Sequence, residues 1–294
     1  MFNYKNCPVC KQTDFKPFIT CKDYTVSKEN FQIASCTSCG FKFTNPIPDI
    51  SKLGDYYKSE DYISHSNTKQ GIISKLYHAV RNYTLKGKLK LISEYVSRGT
   101  LLDYGCGTGM FLKVCQDAGW KVQGMEPDAG ARRIASEMKV KTYADKSELA
   151  PVLGERSVDI ITLWHVLEHV TDLEDTLTFF KSRLSKNGAL MIAVPNHNSF
   201  DAKHYKEFWA AYDVPRHLYH FEPKTISKLL AQHGFVLEKI VPMKFDSFYV
   251  SMLSEKYKTG SIRYLNAFIN GLKSNLKAGS EMNYSSIIYV FRHS

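Results

Sequence analysis

The chain contains no run of 18 apolar residues, so no part of it is suited to spanning a bilayer, and no membrane partner is expected. Its opening residues, Met1-Phe-Asn-Tyr-Lys5, lack the apolar core of a secretion signal, which predicts a cytoplasmic protein. Acidic residues are scarce at both ends. Residues 1–99 carry 15 Lys and Arg against 8 Asp and Glu, and residues 246–294 carry 6 against 3. The middle, 100–245, is balanced at 18 against 18, so the formal charge of +10 lies wholly on the flanks. A basic flank attracts phosphate, in nucleic acid or in a nucleotide-linked substrate, or simply serves solubility. Disulfides are not expected of the seven cysteines in a reducing compartment; metal ligation or free thiols are.

What is present begins with those cysteines. Cys7-Pro-Val-Cys10 and Cys36-Thr-Ser-Cys39-Gly40 form two CxxC knuckles with 25 residues between them. This spacing fits a closed four-thiolate zinc site, structural rather than catalytic, carried on short strands at 15–20 and 31–34. Cys21 lies outside the pairs and is read as a spare. Asn45-Pro-Ile-Pro-Asp49 is a turn-rich break, so residues 1–48 read as a zinc ribbon. Residues 49–98 read as a linker with N-terminal helices. Their first part is polar and tyrosine-rich (Tyr56, Tyr57, Tyr62), either a lid or a tether. Beyond residue 72, Leu76, Val80, Tyr83, Leu85, Leu89, Ile92 and Val96 recur at helical spacing, and Lys86, Lys88 and Lys90 read as a solvated face.

The apolar run 99–102 then ends in Asp103-Tyr104-Gly105-Cys106-Gly107-Thr108-Gly109, and a helical pattern starts at Met110. A strand, a glycine turn and a helix in that order make the ligand corner of an α/β sheet. A second strand, 121–125, ends at Glu126-Pro127-Asp128. An acid there is placed to accept hydrogen bonds from a ribose diol. After a helix at 130–138, a third strand, 140–143, ends near Asp145. The nearly all-apolar fourth strand, 157–163, runs into Trp164-His165-Val-Leu-Glu168-His169. Thr171-Asp-Leu-Glu174 reads as a capping box for a helix closed by Gly188, before a fifth strand at 189–194.

The ordered series Asp103-x-Gly105-x-Gly107-x-Gly109, Glu126, Asp145 and the next strand resembles a class I S-adenosylmethionine-dependent methyltransferase. Its loop is GxGxG, not the GxGxxG of dehydrogenases. The resemblance implies an α/β fold, a Rossmann-like three-layer sandwich. Its mostly parallel seven-stranded sheet would end in an antiparallel edge hairpin and sit behind the small zinc ribbon. It implies that Asp103 and the backbone of Tyr104, Gly105, Cys106, Gly107 and Gly109 hold the methionine part of S-adenosyl-L-methionine. Glu126, with Pro127 beside it, would bind the ribose hydroxyls. Asp145 would face the adenine, and Trp164 and His165 would lie near the sulfonium. His165 and His169 invite a catalytic or metal reading, and some quinone-precursor O-methyltransferases of this fold place metal-binding acids hereabouts. Here the residue three before Glu168 is His165, so that pattern is incomplete.

Residues 196–222 form a long aromatic, histidine-rich segment that reads as a lid over the carboxyl edge of the sheet. Its Asp213-x-Pro215-Arg216-His217-x-x-His220-Phe221 pattern resembles a Methyltransferase-23-like subset, many of whose members are associated with sugar or polysaccharide clusters. Arg216 offers a fork for carboxylate or phosphate, and His217 is the general-base candidate. Alternatively, Asp213, Arg216 and His220 pin the lid. Pro223 opens a helix that ends at Gly234, and strands at 235–241 and 286–291 close the sheet. Between them, 246–284 reads as a helical insertion that covers the substrate, supports a homodimer contact or is an appendage. The methyltransferase domain is thus 99–294. The expected reaction is in-line methyl transfer to oxygen, nitrogen or carbon of a small molecule or sugar. RNA, drawn by the basic ribbon, and a non-catalytic binding module are the rivals. Cytosine C5 chemistry is disfavoured, because Cys106 lies in the cofactor turn and Cys115 on the following helix.

Overall fold

The computed structural model describes residues 1–58, 72–279 and 281–294, with the backbone alone over 72–77. Tyr62 and the side chain of Leu76, both named above, lie outside the described residues. The strands are β1 (Phe15–Lys22), β2 (Asn30–Cys36), β3 (Lys42–Thr44), β4 (Thr100–Tyr104), β5 (Lys121–Met125), β6 (Thr142–Tyr143), β7 (Val158–Trp164), β8 (Leu184–Pro195), β9 (Tyr219–His220), β10 (Phe235–Pro242) and β11 (Ser286–His293). The helices are α1 (Ile72–Ser93), α2 (Met110–Asp117), α3 (Ala129–Glu137), α4 (Lys146–Leu149), α5 (Leu173–Arg183), α6 (Phe200–Tyr205), α7 (Pro223–Gln232), α8 (Asp246–Thr259) and α9 (Tyr264–Lys277).

The large sheet has the order β10-β11-β8-β7-β4-β5-β6. β4 to β8 pair in parallel, and β11 runs antiparallel between β8 and β10. The expected Rossmann-like α/β fold is therefore present. Strand alternation divides the core between the two faces. Leu101, Ile160 and Met191 pack under α1 and α2, while Leu102, Ile161 and Ile192 pack under α5 and α7. The strand order reverses beside β4, so the loops after β4, β5 and β7 gather at one edge.

Two expected helix signals are displaced. The α5 N-cap is Asp172, whose side chain accepts from Asp175 N, so capping begins one residue after Thr171. Gly188 does not close α5. The helix stops at Arg183, and Gly188 lies inside β8, where a Cβ would come 2.8 Å from Asp159 O. A bare backbone there lets β8 lie close against β7.

A second sheet has the order β1-β2-β3-β9. Its last strand comes from the 196–222 segment, with Lys42 opposite His220 and Phe43 opposite Tyr219. Phe41, Phe43 and Cys36 belong to the same continuous core as Leu102 and Phe180 of the large domain. The cysteine-bearing module and the lid are thus one packed structure. Nor is 196–222 an open flap. Tyr205, Trp209 and Tyr212 are buried against Phe31, Ile33 and Val250, because burying those rings outweighs keeping the segment free.

Candidate active site

The glycine corner is tied to the end of β5 by Gly105 N–H and Cys106 N–H, which both donate to Met125 O at 2.7 and 3.0 Å. Gly105 has φ +76°, and a Cβ there would strike Val166 at 2.4 Å, so the β4 turn can lie on the β7 turn only with glycine. Gly107, at φ +53°, has nothing within 4 Å of a Cβ position. The backbone therefore offers an open cradle on that side.

Two acids flank the cradle. Asp103 is buried and accepts from Thr162 Oγ1 at 2.6 Å. Burial lifts its pKa to about 7, against the Thr162 hydrogen bond and the charge of Lys88. Glu126 accepts from Gly107 N at 2.8 Å and Asp128 N at 2.9 Å, one bond on each carboxylate oxygen. Each oxygen keeps a second lone pair for a diol. Pro127 is exposed beside it. Asp145 is the N-cap of α4, its Oδ1 accepting from the Ser147 hydroxyl and from the Ser147 and Glu148 backbone; the hydroxyl first, then the Glu148 N–H, hold the carboxyl below its usual range.

The sequence reading missed Lys88. Lys86 and Lys90 are exposed, but Lys88 turns from α1 toward the corner, with Nζ 4.2 Å from the centre of the Trp164 ring. Burial depresses its pKa against the charges of Asp103 and Asp246. Among the described residues no carboxylate lies within ion-pair distance of its Nζ. The Trp164 ring meets Phe111 edge to face, and its buried Nε1–H has no acceptor among the described residues.

Asp246, the first residue of α8, was also missed; it lies 81 positions from the histidine it contacts. Its Oδ2 is 3.0 Å from His165 Nε2, while His165 Nδ1 is 3.4 Å from Glu168 Oε1. Burial pulls the His165 pKa down, but the hydrogen bonds and charges of the two acids prevail and lift it to about 10. His165 is therefore a cation at neutral pH and unsuited to act as a base. The insertion, through Asp246, closes one wall of the site.

The lid delivers the other wall. Leu218 N–H donates to Glu168 O at 2.8 Å, seating β9 on the turn after β7. His217 Nδ1 is 2.9 Å from Ala211 O. A carbonyl only accepts, so Nδ1 carries a proton, and in the neutral ring the lone pair is on Nε2. The His217 and His169 rings meet edge to face at 4.6 Å. His169 Nδ1 contacts Arg216 O and Tyr57 OH, and burial with the neighbouring His217 lowers its pKa to about 4. Glu168 is fully buried, and among the described residues the one side-chain donor near its carboxylate is His165 Nδ1, at a long 3.4 Å from Oε1. One ligand-type atom from each of Glu168, His169 and His217 lies within 4.8 Å of the others.

Arg216 is not presented to a ligand. It is 1% exposed, and its guanidinium donates to both Asp213 oxygens, Asp23 Oδ1, Thr25 Oγ1 and Tyr56 O. Burial raises the Asp213 pKa, but Arg216 outweighs this and holds it below the usual carboxylate range. His220 Nε2 bonds Thr44 Oγ1 at 3.1 Å, and that hydroxyl donates to His217 O at 2.7 Å. Asp213, Arg216 and His220 therefore fasten the lid. Tyr56 and Tyr57, in the 3₁₀ helix Ile50–Tyr57, lean on this assembly.

At the far side of the module the four thiols converge, with Cys7 Sγ 3.6 Å from Cys39 Sγ and Cys10 Sγ 3.4 Å from Cys36 Sγ. Four sulfurs around zinc at about 2.3 Å would stand about 3.8 Å apart. The donor set and its geometry fit that ion.

A sequence profile described as a methyltransferase domain matches residues 77–240. Ubiquinone biosynthesis O-methyltransferase of Rhodopseudomonas palustris (strain TIE-1) is 32% identical over 109 residues, 33% of this chain and 40% of that protein. The protein of the same name from Rickettsia bellii (strain OSU 85-389) is 21% identical over 192 residues, 60% of this chain and 80% of its own. The first alignment thus spans only two fifths of that relative. Burkholderia thailandensis 1,6-didemethyltoxoflavin-N1-methyltransferase, solved with 1,6-didemethyltoxoflavin and S-adenosylhomocysteine bound, superposes with a TM-score of 0.50 at 13% identity. The alignment covers 93% of this chain and 99% of that one, and the likeness is one of fold. The profile covers more than half of the chain and takes in the glycine corner, Glu126, the β7 turn and the lid: the chain belongs to the methyltransferase domain family.

Proposed function

We propose that the chain is an S-adenosylmethionine-dependent methyltransferase acting on a hydroxyl of a small molecule or sugar, nucleotide-linked sugars included. When bound, the cofactor supplies an electrophilic methyl group. The observation that carries the acceptor class is the Glu168–His169–His217 cluster. A buried carboxylate with His165 as its one near side-chain donor, beside a histidine with a lone pair on Nε2, suits a group that brings a proton. In this reading His217 Nε2 takes the hydroxyl proton, and Glu168 stabilises the imidazolium that results. Asp103 and the 105–109 backbone hold the amino-acid end of the cofactor, Glu126 the ribose, and Lys88 the carboxylate. Cationic His165 orders the wall between them. The two relatives named for O-methylation agree with an oxygen acceptor. The four thiols hold a structural zinc ion.

The test is transfer of labelled methyl from S-adenosylmethionine to phenols, sugar nucleotides and bulk RNA. Label in a low-mass acceptor supports the reading, and label in RNA alone overturns it. His217→Gln is expected to lower kcat by roughly 10²-fold with cofactor affinity, measured by calorimetry, unchanged. Full turnover of that variant would remove His217 from the base role.

A further inference from the structure

Helix α9 is amphipathic in the reverse of the usual sense. Its inward face is small or polar. Ala267, Asn270, Gly271 and Ser274 are buried, Ser274 Oγ donating to Asp201 at 2.6 Å and Asn270 Nδ2 to Tyr205 OH at 3.0 Å. Its large apolar residues all point outward. Tyr264, Leu265, Phe268, Ile269, Leu272 and Leu276 are exposed, Leu265 by 71% and Leu276 by 74%. At 3.6 residues per turn these six occupy a stripe of about 140°. A soluble protein ordinarily turns such a stripe inward, and a contiguous exposed one marks a docking surface.

The charge around the stripe decides its occupant. Lys256, Lys258, Arg263, Lys273 and Lys277 are all exposed, and no Asp or Glu occurs from 256 to 279. A second copy packed on the stripe would bring these cations together with no acid on the helix to neutralise them. An anionic lipid surface meets both requirements, taking the apolar side chains among its acyl chains and the cations among its headgroups. We propose that α9 is an interfacial helix that lays the enzyme on anionic bilayers. No helix among the described residues is long and apolar enough to cross a membrane, but lying on one needs no such length. The same insertion supplies Asp246 to the active site, so the docked helix and the site share one structural unit.

Flotation of the full chain with phosphatidylcholine vesicles, with and without about a third of phosphatidylglycerol, tests this. The protein is expected to float with the anionic vesicles, at least about tenfold more than with neutral ones, and to be released by high salt. Leu265→Ser/Phe268→Ser/Leu276→Ser changes only exposed positions and is expected to keep its circular dichroism and lose flotation. Lys273→Glu/Lys277→Glu is expected to lose the preference for anionic lipid. Failure of the wild type to float overturns the proposal, as does equal flotation of the triple variant. Dimerisation of the wild type that the triple variant abolishes, without flotation, assigns the stripe to a second copy and overturns it too.

Discussion

Asp246 Oδ2 lies 3.0 Å from His165 Nε2, joining the start of the helical insertion to the turn after β7. Against the pull of burial, this contact and the second one to Glu168 lift the His165 pKa to about 10. An unfolded histidine titrates near 6.5. The folded value is the higher one, so the pair's stabilisation is complete below about pH 6.5 and is lost as pH rises toward 10. The Tm difference between wild type and Asp246→Asn is expected to be largest near pH 6 and to shrink by pH 10. A difference constant across that window would mean that the pair does not hold the proton.

Lys88→Gln is expected to weaken S-adenosylmethionine binding by roughly 10- to 100-fold, the worth of one charge-assisted hydrogen bond. Lys88→Arg should recover part of the loss. Calorimetry reads this directly, and kcat at saturating cofactor should change little. Unaltered affinity would return Lys88 to a packing role over Trp164.

Arg216→Ala strands the buried Asp23 and the half-buried Asp213. Removing one partner of a buried ion pair costs about 3–5 kcal/mol, so urea unfolding should shift by that order. Arg216→Lys keeps the charge but loses the fork that reaches four residues, and should recover only part. A shift below about 1 kcal/mol would show the network to be expendable.

Cys36→Ser is expected to abolish stoichiometric zinc by elemental analysis and to lower Tm. Because the module shares a core with the large sheet, the loss should appear in the global transition rather than in a separate early one. Turnover should fall with it, since Thr44 and β3 hold the His217 loop. Zinc-free protein with an unchanged melt would remove the metal from the folding argument.

Local pattern carried much of this molecule. The β4 strand, the glycine spacing and Glu126 are neighbours in sequence and in space, so periodicity and turn chemistry sufficed to read them. The cysteine knuckles were legible because ligand spacing within each is fixed by one turn. Lys88 was not, because a lysine between two exposed lysines carries no mark of which way its helix faces. Asp246 was hidden by separation in the chain. The Arg216 fork suggested an anion, and only the fold shows that the anions are Asp23 and Asp213. The pairing of β3 with β9 had no sequence signal, since strands of three and two residues have no period to read.

That pairing sets a limit on how the protein can be divided. A chain begun at residue 49 would keep every residue of the glycine corner, yet it would expose Phe221 and Tyr219 and leave the backbone groups of β9 as a bare edge. Such an edge recruits strands from other molecules. The shortened enzyme is expected to aggregate before it merely loses activity, which makes the amino-terminal module a guard against self-association.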